Sequence, residues 1–322
     1  MKFTRVLTGL GFAVIFSHQA YAVEGAVYGG PIGGTDIRNA YIPPRTGLYG
    51  GIADVPAIIG QYNGNNGGQS RTIRSVNFVS NVTAIGLEYV YPFKLFSGYI
   101  ATTAQVGYLN YSRFAANNVI NQRSAGWGDM YSDILKWSRY LGTPATPGPG
   151  RTPLPYGLTV MAAYSMTFPI GSYQPQKAVT PGHNDYFVSP NFAATYLTKP
   201  NFLGDGVELD GHLFYDHALE NPYNHYRDGD IINLDFAVGE RLGRWTFGAT
   251  GFAAAQLGHD LREGQPVPLH GDYFDAVKAG PIVSYDVPKL GMQFKGKILF
   301  PVYTKNTLFG TTAVVVAAFT LL

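Results

Sequence analysis

Val207-Glu208-Leu209-Asp210-Gly211-His212-Leu213-Phe214-Tyr215-Asp216-His217 decides the fold class of this chain. Glu208, Asp210, His212 and Asp216 fall on one parity, and Val207, Leu209, Leu213 and Tyr215 on the other. Side chains of a β-strand alternate between two faces, so the segment presents one wet face and one greasy face. A soluble sandwich also alternates, but it turns its apolar face into a core. The rest of the chain separates the two cases.

The first residues read as an export signal. Lys2 and Arg5 form a basic n-region, Val6 to Phe16 is apolar but too short to span a bilayer, and Ala20-Tyr21-Ala22 is an Ala-x-Ala cleavage site. Residues 1–22 are therefore expected to be removed, leaving a mature chain from Val23. The sequence has no cysteine, which excludes disulfides, thiolate metal sites, cysteine nucleophiles and a lipidated cysteine. Charged residues make up 14% and hydrophobic residues 46%, against roughly 25% charged in a typical soluble domain. The mean hydropathy of -0.01 is neither that of a polar soluble chain nor that of a helical membrane protein. No uncharged apolar run of about 18 residues follows the signal, so a membrane helix is not expected. The net charge of +2 comes without a basic cluster or stripe, which argues against a nucleic-acid partner.

Alternation recurs along the mature chain. Leu158, Val160, Ala162, Tyr164, Met166 and Phe168 alternate with Thr159, Ala163, Ser165 and Thr167. Ile232, Leu234, Phe236 and Val238 alternate with Asn233, Asp235 and Gly239, and Met292, Phe294, Ile298 and Phe300 with Gln293, Lys295 and Lys297. Trp245, Phe247, Ala249, Ala253 and Leu257 alternate with Thr246, Thr250 and Gln256. Each run is near the ~9–11 residues of a tilted membrane strand. Connections alternate too. Pro92 to Ser97, Arg241 to Arg244 and Val287 to Gly291 are short. Asn63 to Arg71, Ala115 to Trp127, Gly171 to Asp185, Asn221 to Gly229 and Gly258 to Asp272 are longer and polar, and Ser138 to Pro155 is a Gly/Pro-rich link on the short side. Short periplasmic turns with longer outer loops are the usual barrel asymmetry. From Gly47 to Leu322 the pattern predicts an all-β fold: a transmembrane antiparallel β-barrel of about twelve strands in outer-membrane lipid, closed so that no edge is left unpaired.

A resemblance then emerges. The mature N-terminus reads Val23-Glu24-Gly25-Ala26-Val27-Tyr28, followed by Tyr41-Ile42-Pro43-Pro44-Arg45-Thr46-Gly47-Leu48-Tyr49. With Gly126-Trp127-Gly128-Asp129-Met130-Tyr131, Leu135-Lys136-Trp137, Tyr226-Arg227-Asp228-Gly229-Asp230, Gly251-Phe252 through Gln256 to Asp260, and Ala279-Gly280-Pro281, the order and spacing resemble the outer-membrane family of the MetA-pathway of phenol degradation. The resemblance covers nearly the whole mature chain. It implies a barrel in the cell outer membrane linked to uptake of small aromatic or other hydrophobic compounds. One departure stands out: the last strand, Thr311 to Leu322, ends in leucine where outer-membrane strands of this kind usually finish on an aromatic residue, and Phe319 lies on the other face from Leu322. The barrel-assembly machinery is an expected partner.

Charged residues on a lipid-facing surface cost roughly 2–4 kcal/mol at midplane and should point inward. Glu208, Asp210, His212, Asp216, Asn233, Asp235, Lys278, Gln293, Lys295 and Lys297 are therefore expected to line the lumen. Acidic and basic walls could set up a transverse field or simply neutralise one another. No catalytic, cofactor or metal residue is assigned. His183, His225, His259 and His270 fall in expected loops, and neither His-Glu-x-x-His nor Gly-x-Ser-x-Gly occurs. A His-x-Ser-Asn segment of the kind found in outer-membrane phospholipases is also absent, so a lipid-modifying hydrolase is the weakest reading. Tyr99, Tyr111, Trp137 and Trp245 are expected in interfacial girdles. Residues 23–46 precede the first strand and are Gly-rich; they form either a periplasmic leader or a plug inside the barrel, with Pro43-Pro44 stiffening the exit, and the resemblance tilts toward the plug. The expected function is a passive channel, needing only a continuous path with weak binding along it. The alternative is a structural or surface-interaction barrel, which a lumen filled by side chains would favour.

Overall fold

The structure is a computed structural model that describes residues 28–142, 155–267 and 273–322. The expected signal peptide, residues 23–27, most of the Gly/Pro-rich link and His270 lie outside the described residues.

Twelve long strands close into an antiparallel barrel. They are β1 (Gly47–Asn63), β2 (Val76–Leu95), β3 (Gly98–Ala116), β4 (Ile120–Tyr140), β5 (Gly157–Phe168), β6 (Phe187–Leu197), β7 (Gly206–Ala218), β9 (Ile231–Leu242), β10 (Trp245–Gln256), β13 (Asp275–Val287), β14 (Met292–Lys305) and β15 (Thr307–Thr320). Each pairs with the next in sequence, and β15 returns to β1, with Thr320 opposite Tyr49 and Thr307 opposite Asn63. The chain end reinforces that seam: Leu48 N–H donates to the Leu322 carbonyl at 3.1 Å. Three two-residue strands in the loops, β8 (Tyr226–Arg227), β11 (Leu261–Arg262) and β12 (Gln265–Pro266), form a separate small sheet.

The connections set the orientation. At one end three of the five connections are tight, Phe96-Ser97 with both residues at positive φ, Gly243-Arg244, and a 3-10 turn over Pro288–Leu290, while residues 198–205 and the Gly/Pro-rich link 141–156 are longer. At the other end run the longer loops, 64–75, 169–186, 219–230 and 257–274. In outer-membrane barrels the end with the tight turns is usually the periplasmic one and the end with the longer loops the outer one. One expected loop does not exist. Ala115 to Trp127 is a hairpin with a three-residue tip, because Asn117 and Asn118 adopt φ of 51° and 57° and turn the chain within two residues. Alternation then continues through Gln122 to Ala125, with Ser112, Phe114 and Ser124 buried inside. β1 to β4 are 17, 20, 19 and 21 residues long, about twice what a membrane strand needs, so this side of the barrel projects beyond the bilayer.

The loops at the outer end are tied by buried polar contacts. Asp260 accepts from Tyr226 Oη at 2.6 Å, Gly229 N at 2.8 Å and Gln256 Nε2 at 2.7 Å. Burial pushes its carboxyl up to about 6. Asp230 is the opposite case. Burial would raise it, but hydrogen bonds from Tyr215, His217 and Arg227 hold it below the ordinary carboxylate range.

Candidate functional site

In β7, Leu209, Leu213 and Tyr215 are exposed on the outer surface, whereas Glu208, Asp210, His212 and Asp216 are buried. β9 repeats this with Ile232, Leu234 and Val238 outside and Asn233 and Asp235 buried. In β14, Phe294, Ile298 and Phe300 face out, Lys297 is buried, and Gln293 and Lys295 are half-buried on the same parity as Lys297. Lys278 of β13 is half-buried and donates to Thr312 Oγ1 of β15 at 3.1 Å, reaching past β14 along the inner surface. Cysteines at Lys278, Gln293 or Lys295, which border the open part of the lumen, should therefore react with water-soluble thiol reagents in intact membranes, and cysteines at Leu209 or Leu234 should not. Equal labelling of the two parities would contradict this arrangement.

Residues 28–46 run along this inner surface from the loop end to the turn end. Tyr28 sits at the loop end, its ring 5.3 Å from Phe187 and 6.0 Å from Phe274. Gly33 N and Thr35 N donate to the two Asp235 oxygens at 3.0 and 2.8 Å, and Thr35 Oγ1 adds a third bond at 2.8 Å. Hydrogen bonds to charged groups contribute about 1.5–3 kcal/mol each. Three of them offset the roughly 1–2 kcal/mol per residue needed to fix a short stretch of backbone. The His212 ring bridges Thr35 Oγ1 at 3.1 Å and Asn191 Oδ1 at 2.9 Å. Asp36 pairs with Lys295 Nζ at 2.5 Å and Lys297 Nζ at 3.1 Å. Lys297 also donates to the Gly33 and Thr35 carbonyls. Arg38 holds Asp286 by two bonds at 2.7 and 2.9 Å, and its N–H donates to Asp210 at 3.0 Å. Ala40 ends the polar run, wedged among Met161, Ala163 and Ala193, its carbonyl accepting from Ser138 Oγ at 2.5 Å. Ile42 then packs with Val90 and Ala101 near the turn end.

Among the described residues no ion pair joins the acids of β7 and β9 directly to the lysines of β13 and β14. The threaded segment stands between them, with Asp36 on the lysines and backbone N–H groups on the aspartates. Glu208 is held by Arg241 Nε at 2.7 Å.

Several inner charges escaped the sequence reading. Arg241 and Asp286 share the inward parity of their strands and could have been found by extending the alternation. Asp133 and Lys136 could not. They lie three residues apart yet both line the lumen, because β4 bulges between Asp133 and Leu135 against β5. The signal was present as two successive apolar residues, Ile134 and Leu135, both exposed. Lys136 pairs with Glu88 of β2 at 2.9 Å. Two expectations need correction. Tyr99 is not a girdle residue: its ring packs inside beside Ile42, Val90 and Ala101, while Tyr111 and Trp245 are exposed outside. Nor do all charges point inward. Asp54 shares the outward parity of Ile52 and Ile58, and the cost is moderated by Asn81 Nδ2, which donates to it at 2.8 Å, with Asn110 in turn bonded to Asn81.

The segment does not fill the barrel. It lies against β5 to β14 and leaves an internal cavity of about 1880 Å³, larger than the ~300–1,000 Å³ of ordinary ligand pockets. The opposite wall has a small, apolar face, Gly51, Ala53 and Val55 of β1, Ala84 and Gly86 of β2, and Val314, Val316 and Ala318 of β15, flanked by polar residues of β2 to β4 that include Glu88, Gln105, Asp133 and Lys136. Among the described residues no group of three His, Asp or Glu could hold a metal ion.

Residues 61–316 match the family described as "Putative MetA-pathway of phenol degradation". The chain belongs to that family. A solved outer membrane channel from Pseudomonas putida F1, 12% identical, superposes with a TM-score of 0.71, covering 89% of this chain and all of that one. This member of the family therefore has the fold of an outer-membrane barrel. Weaker likenesses are to the translocator domain of autotransporter NalP from Neisseria meningitidis (12% identity, TM-score 0.47, 86% of this chain and 89% of that one) and to a mutant of the monoaromatic hydrocarbon channel TodX (11%, 0.41, 93% and 96%); they carry no argument. Comparison with curated proteins finds no match.

Proposed function

We propose that the protein is an outer-membrane channel for passive uptake of small hydrophobic or aromatic compounds, with residues 28–46 acting as a plug over the polar half of the lumen. The carrying observation is the division of the barrel interior. The threaded segment lies over the acidic strands β7 and β9, and the remaining 1880 Å³ is bounded along β1, β2 and β15 largely by Gly, Ala and Val, with Lys278, Lys295, Asp133 and the Glu88–Lys136 pair as its bordering charges. Along the face of β1, β2 and β15 water gains little from the wall, and an apolar solute loses little by following it. Weak contacts with many small side chains permit both entry and exit. A purely structural barrel would have no need of such a space.

The decisive experiment is single-channel conductance of the purified protein in planar bilayers with candidate aromatics as blockers. Concentration-dependent block by aromatics, with little block by sugars or organic anions of similar size, is the expected result. Equal block by polar solutes would reject the hydrophobic reading. A second expectation follows from the exposed apolar band and the absence of a membrane helix among the described residues. The mature protein should fractionate with outer membranes, lack Met1 to Ala22, and migrate faster on gels when unheated. Recovery as a soluble periplasmic protein would overturn the reading at its root.

A further inference from the structure

Charge is distributed unevenly around the loop end. Between Asn65 and Gly128 the chain has a single acidic residue, Glu88, which lies inside against Lys136. The same stretch puts Arg71, Arg74, Arg113 and Arg123 at the outer end. Arg113 of β3 and Arg123 of β4 stand directly opposite each other in the ladder, both exposed on the outward face, while their neighbours Ser112 and Ser124 are buried inside. Like charges opposed across two strands are destabilising. Elsewhere on this rim Arg227 has Asp230 beside it at 3.2 Å and Lys305 has Asp275 at 3.7 Å. Among the described residues, Arg113 and Arg123 have none within ion-pair distance.

Two neighbouring loops add to the cluster. Lys177 Nζ hydrogen-bonds the Arg123 carbonyl, and the loop carrying it is fastened by Gln122, which accepts from Ala178 N at 2.8 Å and donates to the Gln176 carbonyl at 3.2 Å. Asn117, at the hairpin tip, accepts from Arg74 N at 2.9 Å and donates to the Thr72 carbonyl at 2.7 Å, tying down the loop with Arg71 and Arg74. The height of the cluster is set by its own strands. Tyr111, Tyr108 and Trp127 are exposed outward just below it, the last two 5.0 Å apart edge to face, as in an interfacial girdle. Arg113 follows Tyr111 by one pleat repeat, which on a tilted strand is roughly 5 Å further out. That is the headgroup level of the outer leaflet.

We propose that the outward face of β3 and β4 around Arg113 and Arg123 binds the phosphate groups of the outer-leaflet glycolipid, lipopolysaccharide. A phosphate between the two guanidiniums removes their repulsion and accepts paired N–H bonds from each. The proposal rests on the loop end facing the cell exterior, but not on what the lumen conducts. The test uses the full-length barrel in detergent and follows the temperature at which the fast-migrating gel form is lost. Diphosphorylated lipid A should raise that temperature by a few degrees in the wild type and leave an Arg113→Gln/Arg123→Gln variant unmoved. Inorganic phosphate and phosphatidylglycerol micelles at equal phosphate should do little to either. A second variant, Arg123→Glu, supplies the missing acid to Arg113; it should be more heat-stable than the wild type without lipid and should lose the lipid A response. An equal lipid A shift in wild type and double variant would overturn the site, and so would an equal shift with phosphatidylglycerol. A barrel found outside the outer membrane would instead defeat the reading on which the proposal rests.

Discussion

Deletion of Ala26 to Ile42 is expected to leave a folded, heat-modifiable barrel whose single-channel conductance is several-fold higher than that of the intact protein. The barrel ladder begins at Gly47, and no strand pairing uses the deleted residues. What the deletion removes is the backbone lying against Asp210 and Asp235, the Asp36 and Arg38 charges, and the apolar contacts of Tyr28 and Ile32 with Phe252 and Phe274. The exposed wall would then be hydrated and ion-conducting. Block by aromatics should weaken at the same time, because the half-channel would no longer be narrow. Unchanged conductance in a correctly folded deletion variant would mean that the segment does not limit the path, and the constriction would have to be sought in the loops.

A single substitution should produce part of the same effect. Asp36→Asn leaves Lys295 and Lys297 close together without their shared carboxylate, and Asp36 and Lys297 are buried, with side-chain exposures of 3% and 5%. Removing one partner of a buried ion pair costs about 3–5 kcal/mol. The penalty falls on the docking of the segment rather than on the ladder. The variant should therefore show noisy, intermittently higher conductance and faster cleavage of residues 28–46 by protease, with the barrel band intact. Adding Lys297→Met should restore much of the quiet behaviour by removing the excess charge. If Asp36→Asn is silent in both readouts, the ion pair does not hold the segment.

The barrel was legible in the sequence because the membrane enforces its rule on almost every residue of a strand. One charge at the wrong parity is costly at midplane, so Glu208, Asp210, Leu209 and Leu213 announce their faces. Turns were less legible. The Asn117-Asn118 hairpin has the sequence of a long loop because polar residues continue the strand above the bilayer, where lipid no longer forces the alternation. Asp133 and Lys136 were hidden by a bulge, which breaks the period of two at the point where it carries charge. The tie between Asp36 and its lysines was illegible for a different reason: it joins positions some 260 residues apart, and neither partner shows a local pattern. Asp54 obeys no rule visible along its own strand, since the side chain that makes it tolerable, Asn81, belongs to the next one.

The direction in which residues 28–46 run has a consequence for access from outside the cell. The segment joins β1 at the periplasmic end, yet Tyr28 lies at the opposite end, beside Phe187 and Phe274. Tyr28 itself is therefore approached from the loop end: a cysteine in its place should be labelled from the loop side of the barrel, while a cysteine next to Gly47 should be labelled only from the turn side. The two ends of one short segment would thus report on opposite faces of the membrane.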